Sequence, residues 1–282
     1  MRILIIGSSG FIGKELAKRL EERGYAFDIT SRHDSKQRSG IRYFDFQNSK
    51  SFANIFDYDI VIMTAFDHRY SGNLSFVKYL MKHKFSGKLI YLSTISVMDW
   101  NKLSQGVEEY SKSLEIYSWI KRKCEKSIVN SKLNYCVIRP SVVLGGGTWH
   151  SIFTTINESD KALIPKGGNN YCYFVHVASI VELIVDNLES KENKTLNGFG
   201  DLKTWKSLIT TKIQPTNSNR YCDSRIKNLA FLIVYNTYLG LLIQYLLKRY
   251  ILSHGRGNVS NVENYEATNT IRNIMSINFR FR

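Results

Sequence analysis

The chain has 282 residues, 43% apolar and 22% charged, an ordinary globular composition long enough to bury a full core. Its net charge is +15, and residues 203–282 hold 12 Lys/Arg against 3 Asp/Glu, so +9 of that excess sits in the last 80 residues. Such a balance favours anionic partners; without a zinc-finger or RNP-type aromatic motif, phosphorylated substrates are expected rather than nucleic acid.

Ile3–Ile6 is a continuous apolar run, as a buried parallel strand requires, and Gly7, Gly10 and Gly13 follow at once. The spacing is G-x-x-G-x-x-G. Glycines between a strand and a helix suit a tight turn that presents backbone N–H groups to a pyrophosphate. Lys14–Arg23 reads as a helix with Leu16, Ala17 and Leu20 on one face, closed by Gly24. Strands are predicted at Ala26–Thr30, Ile41–Phe44, Asp59–Met63, Leu89–Ser93 and Tyr135–Ile138, and helices at Phe76–His83 and Tyr117–Asn130. This alternation predicts an α/β fold: a Rossmann-type, doubly wound parallel sheet over residues 1–145, with a smaller substrate-binding region, 146–282, interleaved with it. Ligands in such sheets bind at the carboxyl ends of the strands. Gly7–Gly13, Arg32, Asp45, Ala65, Thr94 and Pro140 all fall at or just after predicted strand ends.

The second region is less regular. Gly145–Gly147 reads as a joint, Pro165–Asn170 as a turn-rich loop, Tyr173–Val177 as a strand and Ile180–Leu188 as a helix. His176, alone in an apolar strand, reads as a core residue without a catalytic partner. Trp100, Trp119 and Trp149 read as packing residues, with Trp149 placed to line a pocket. Leu229–Leu247 is a 19-residue stretch without charge, flanked by Arg225, Lys227, Lys248 and Arg249. It fits a core or oligomer helix, a membrane-surface helix (with contact over 229–252) or a span, although Asn236, Thr237, Gly240 and Gln244 weaken the span. The N-terminal apolar run is too short for a signal peptide. The scattered Cys124, Cys136, Cys172 and Cys222 read as reduced thiols of a cytoplasmic protein, with no metal site expected.

Tyr117 and Lys121 stand four apart, on one helix face. A phenol near pKa 10 is a poor acid or base at neutral pH; a neighbouring ammonium favours its phenolate and brings it into range. Ser93 or Thr94, at the end of the preceding strand, can bond a substrate oxygen.

With these residues in place, the chain resembles the extended short-chain dehydrogenase/reductase family, in its nucleotide-sugar epimerase, dehydratase and reductase branch. Gly7-Ser-Ser-Gly10-Phe-Ile-Gly13 is similar to that family's cofactor loop, so Gly7, Ser9, Gly10, Phe11, Ile12 and Gly13 are implied cofactor contacts. Asp45 with Phe46 resembles its adenine site, and Ala65 its apolar contact after the fourth strand. Leu92–Val97 resembles the strand carrying the catalytic Ser/Thr, matched best at Thr94. Tyr117-Ser-Trp-Ile-Lys121, with Glu125 four residues on, resembles its Tyr-Lys helix. Arg139-Pro140 with Gly145, then Phe174–Val177, resemble later landmarks, Pro140 being an implied cofactor contact. Residues 270–281 resemble the closing helix, which speaks against a span at 229–247. The resemblance implies catalysis by Thr94, Tyr117 and Lys121 on a nucleotide-sugar, and a homodimer.

There are departures. The stretch from Ala65 to Thr94 is short for a sugar epimerase. Cys172 stands where many relatives have an Arg for the substrate diphosphate, a role open to Lys166. Ile95 and Ser96 follow Thr94 where dehydratases carry an Asp-Glu pair, so dehydration is disfavoured. The second strand ends Thr30-Ser31-Arg32-His33. Ser31 does not repel a 2′-phosphate and Arg32 can pair with one, which favours NADP over NAD, although Arg32 could instead stack on adenine. The leading expectation is an NADPH-dependent reductase of a nucleotide-linked keto-sugar, in surface-polysaccharide precursor synthesis. An NAD-dependent 4-epimerase and a non-catalytic dinucleotide-binding scaffold are the alternatives.

Overall fold

The computed structural model describes residues 1–32, 40–67, 69–145, 164–165, 171–204, 207, 221–222 and 242–244. The chain divides into two compact units. The first comprises Met1–Ile95, Ile120–Pro140 and Val175–Gly198; the second comprises Ser96–Trp119, Ser141–Phe174 and Phe199–Arg282.

The first unit is built on β1 (Ile3–Ile6), β2 (Phe27–Ser31), β3 (Ile41–Tyr43), β4 (Ile60–Met63), β5 (Lys88–Leu92), β6 (Asn134–Pro140) and, later in the chain, β10 (Lys194–Gly198). They form one seven-stranded sheet in the order β10-β6-β5-β4-β1-β2-β3. Every pairing in it is parallel; Ile5, for example, lies between Ile29 and Ile62. This is the doubly wound sheet predicted from the strand–helix alternation. Its direction of winding reverses between β1 and β4, so Gly7 and Thr64 flank the point where such sheets open a crevice. β1, β4 and β5 are buried along their whole length, which is why each reads as an unbroken apolar run.

Among the described residues, four longer helices accompany these strands: α1 (Phe11–Glu22), α2 (Ser71–Lys82), α4 (Ile116–Val129) and α5 (Val177–Val185); α3 (Trp100–Leu103) is a single turn. Helix α1 buries Leu16 and Leu20, and α5 buries Ile180, Val181 and Ile184. Glu182 of α5 pairs with both Arg19 and Arg23 of α1. Helix α2 meets the residues after β3 through an aromatic cluster. Phe76, fully buried, is edge-on to Phe44, Phe46 and Phe52, with ring centroids 5.1, 6.1 and 5.2 Å away. Lys88, buried at the start of β5, donates through Nζ to the carbonyls of Asn187 and Ser190 just beyond α5, and burial lowers its pKa.

In the second unit, β7 (Val142–Leu144), β9 (Tyr171–His176) and β11 (Asp201–Thr204) form a three-stranded sheet ordered β11-β9-β7, and β8 (Ile164–Pro165) pairs with β12 (Tyr221–Cys222). The first turn of α4 belongs to this unit.

Helix α2 starts five residues before the predicted Phe76. Its first turn, Ser71–Asn73, lacks apolar periodicity and is fixed instead by the Asp67 carboxylate, which accepts from Gly72 N at 2.8 Å. His176 is corrected: it is exposed, not a core residue, and its Nδ1 accepts from Ala178 N at 3.2 Å, capping α5, which therefore begins at Val177 rather than Ile180. Gly146, Gly147, Trp149, Lys166, most of 229–247 and all of 270–281 lie outside the described residues, as does the Trp100 side chain. Among the described residues, no helix is long and apolar enough to cross a membrane.

Phe76→Ala should lower the unfolding free energy by about 3–5 kcal/mol, read from urea denaturation. A loss under about 1 kcal/mol would mean that the aromatic cluster is not closely packed.

Candidate active site

The loop from Gly7 to Gly13 has no room for side chains at its two ends. Gly7 has φ +99°, and a Cβ there would lie 2.7 Å from Ala65 N. A Cβ on Gly13 would lie 2.1 Å from Gly7 O, so only glycine lets α1 settle onto the loop. Gly10 caps α1 in an extended conformation without a side-chain bond, and no acidic residue stands in the first turn. The start of this helix therefore offers its N–H groups and positive dipole end to an anion. Thr64, which no sequence motif marks, secures the loop: its Oγ1 donates to Ile6 O or Gly7 O, at 3.0 and 3.1 Å. Ser9 and Gly10 are exposed, and Phe11 and Ile12 are half-buried.

Arg32 is exposed directly beyond β2. Asp45 lies two residues past β3, where its Oδ1 accepts from Gln47 N at 3.0 Å and its N–H donates to Ser51 Oγ. The Phe46 ring stands edge-on to Phe44, with centroids 5.0 Å apart. Gln47 reaches on to Asp67, donating from Nε2 to Oδ2 at 2.8 Å. Asp67 thus ties the Asp45 turn to the start of α2, a role with no signal in its sequence neighbours.

At the end of β5, Ser93 and Thr94 separate in role. Ser93 N donates to Ile138 O, and its Oγ donates to Glu125 Oε2. The other oxygen of Glu125 accepts from Arg139 Nε at 2.9 Å and Nη2 at 2.7 Å, and Arg139 Nη1 reaches Asn197 Oδ1 at 3.3 Å. Glu125 is 0% and Arg139 4% exposed. Ser93 is therefore engaged by a buried ion pair, and Thr94 follows it just beyond β5. Pro140 is buried at the end of β6, opposite Gly198.

Lys121, 3% exposed, donates from Nζ to Leu92 O, and Nζ lies 4.8 Å from the Tyr91 ring centroid and 5.1 Å from that of Phe66. Carbonyl and ring faces both favour the charged ammonium. Tyr117 stands half-buried one turn earlier on the same unbroken helix. Beside Lys121, Cys124 has no exposure, and burial pushes its thiol up to about 11 against the smaller opposing pull of the Lys121 charge. The described cysteines Cys124, Cys136 and Cys172 are all buried.

The profile of the NAD dependent epimerase/dehydratase family matches residues 3–197. The chain belongs to this family. It is an enzyme of that family, and the matched span takes in the glycine loop, Thr94, Tyr117 and Lys121. No curated protein matches it in sequence. Among solved structures it is similar to the UDP-glucose 4-epimerase of Thermus thermophilus, complexed with NAD, at 16% identity over 74% of this chain and 81% of that one, with a TM-score of 0.58. It is similar to a dTDP-glucose 4,6-dehydratase from Bacillus anthracis in complex with NAD, at 16% identity over 79% and 83% of the two chains, with a TM-score of 0.60. A dTDP-4-dehydrorhamnose reductase from Clostridium acetobutylicum matches at 16% identity over 74% and 78%, with a TM-score of 0.57. At such identities these likenesses speak for the fold.

Glu125→Leu strands the Arg139 charge and should lower the unfolding free energy by about 3–5 kcal/mol, whereas Glu125→Leu with Arg139→Met should recover at least half of that. Urea unfolding of both variants decides it: a double variant as unstable as the single one would mean that the pair is not an isolated charge balance.

Proposed function

We propose that the chain is an NADPH-dependent reductase of a nucleotide-linked keto-sugar. The observation that carries this reading is the Lys121 ammonium, buried at the end of β5 and one helical turn from Tyr117. The glycine loop fits a dinucleotide, because its two ends exclude any Cβ and the cap of α1 leaves backbone donors for a pyrophosphate. Gly7, Ser9, Gly10, Phe11, Ile12 and Gly13 would hold that part, with Asp45, Phe46, Ala65 and Pro140 along the rest and Arg32 on a 2′-phosphate. When bound, NADPH supplies the hydride for the carbonyl carbon. Tyr117 gives its phenolic proton to the carbonyl oxygen as that oxygen becomes an alcohol. Thr94 holds the same oxygen by a hydrogen bond. Lys121 favours the phenolate that remains and bonds the ribose.

Ile95 is buried next to Thr94, and Ser96 Oγ lies 2.8 Å from Ser118 Oγ. Neither supplies the acid/base pair that water elimination calls for, which supports reduction over dehydration. Residues 146–282 are read as the substrate-binding region interleaved with 1–145, in a cytoplasmic homodimer.

Titration of the purified protein with NADPH and NADH, after a check for co-purified nucleotide, tests the reading. Selective NADPH binding to an empty site is expected, and Arg32→Ala should weaken NADPH about tenfold while leaving NADH nearly unchanged. Retained NAD⁺ would instead favour the 4-epimerase, and no binding of either nucleotide the scaffold. With a UDP- or dTDP-linked 4-keto-sugar as substrate, Tyr117→Phe should cut kcat by about 10²–10⁴-fold with NADPH affinity within threefold. Full activity in that variant would remove Tyr117 from the mechanism.

A further inference from the structure

We propose that Gln244, far outside the family-matched residues 3–197, is a positioning residue that holds the Tyr117 turn of α4. This rests on the reading of Tyr117 as the proton donor.

Any α-helix leaves four N–H groups without partners inside itself at its start. In α4 these belong to the cap residue Glu115 and to Ile116, Tyr117 and Ser118. Glu115 N donates to Ser113 Oγ at 3.2 Å, and the Glu115 carboxylate accepts from Tyr117 N at 3.0 Å and from Ser118 N at 2.8 Å. The fourth goes elsewhere: Ile116 N donates to Gln244 Oε1 at 3.0 Å, across 128 residues of sequence. The same side chain donates from Nε2 to Leu114 O at 3.3 Å. Gln244 therefore takes the backbone groups on both sides of Glu115, the residue that caps the helix, and pairs with them as a neighbouring strand would. It is 9% exposed, so water is a poor substitute for either bond.

The two ends of α4 are secured by different means. Downstream, Lys121 bonds Leu92 O, and Glu125 bonds Arg139 and Ser93. Upstream, Tyr117 sits in the first turn, where helices fray, and that turn depends on Glu115 and on Gln244. Proton transfer needs its donor placed to within a fraction of an ångström. The assignment also gives Gln244, a polar interruption of the apolar stretch 229–247, a partner within the protein.

Amide exchange of the full-length protein, followed by NMR, tests this directly. Gln244→Ala should speed exchange at Ile116 at least tenfold, leaving Leu89–Leu92 of β5 unchanged. With NADPH and a nucleotide-linked 4-keto-sugar, kcat should fall about tenfold to a hundredfold while NADPH affinity stays within twofold. Gln244→Glu separates bonding from space-filling. An ionised carboxylate accepts from Ile116 N but cannot donate to Leu114 O, whereas the neutral carboxyl does both. Burial and the nearby Glu115 charge raise the titration of the introduced group. Protection at Ile116, and kcat relative to wild type, should therefore recover as pH falls from 8 to 5. Unchanged exchange in Gln244→Ala, or a pH-independent ratio in Gln244→Glu, would overturn the proposal. A wild-type protein with no reductase turnover would count against the reductase reading alone, and the exchange data would still decide on Gln244.

Discussion

The buried contact between Glu125 and Arg139 is the one on which the rest of the site depends. Placing two charges where water does not reach is costly, and a pair of apolar side chains would fill the space at least as stably. What the pair supplies is position. Arg139 bonds one carboxylate oxygen twice, and Ser93 takes the other. Arg139 then reaches Asn197. Helix α4 is thereby tied to β6 and β10 and to the residue that leaves β5. The register of α4 against β5 follows, and with it the reach of Lys121 to Leu92 O. A helix free to slide or turn by a few degrees would carry Lys121 away from the strand end where Thr94 emerges.

A second constraint is negative: there is no room. Gly13 lies against Gly7, and Gly7 against Thr64 and Ala65, so strand, helix and the next strand meet backbone to backbone. This happens where the sheet reverses its winding, which puts bare N–H groups at the mouth of the crevice. Positive charge is not needed for that; Lys14, the first basic residue of α1, is exposed. On the proposed reading, anion binding there would rest on dipoles and close approach rather than on the high net charge of the chain.

Legibility in the sequence followed the range of the interaction. The apolar runs of β1, β4 and β5 and the glycines after β1 announce themselves, because burial on both faces and crowding of the backbone act on adjacent residues. The spacing of Tyr117 and Lys121 is local too. Partners far apart in the chain left no such trace. Asp67 carries no motif or periodicity, yet it bonds Gln47 and the start of α2. Glu115 precedes its helix without an apolar pattern to mark the cap. Gln244 looked like a flaw in an apolar stretch, since its reason lies at Leu114 and Ile116. β10, with the polar sequence Lys-Thr-Leu-Asn-Gly, was invisible because an edge strand is only half covered. His176 misled in the opposite direction: apolar neighbours suggested burial, whereas the ring sits at the last residue of β9 and caps the next helix.

The chemistry open to the site narrows by the same logic. Eliminating water calls for an acid and a base beside the reacting carbon. Of the two residues after Thr94, Ile95 is a buried hydrocarbon. The other, Ser96, meets Ser118, whose hydroxyl lies 2.6 Å from the Glu115 carboxylate. Ser96 thus serves the same helix start that Glu115 and Gln244 hold. On the proposed reading, one phenolic proton and one ammonium remain, enough for a single hydride and a single proton. That is the stoichiometry of a carbonyl reduced to an alcohol, or of the reverse. On that reading the nucleotide retained by the glycine loop, rather than the catalytic side chains, would set the direction, and the exposed Arg32 just beyond β2 would choose that nucleotide through the 2′-phosphate.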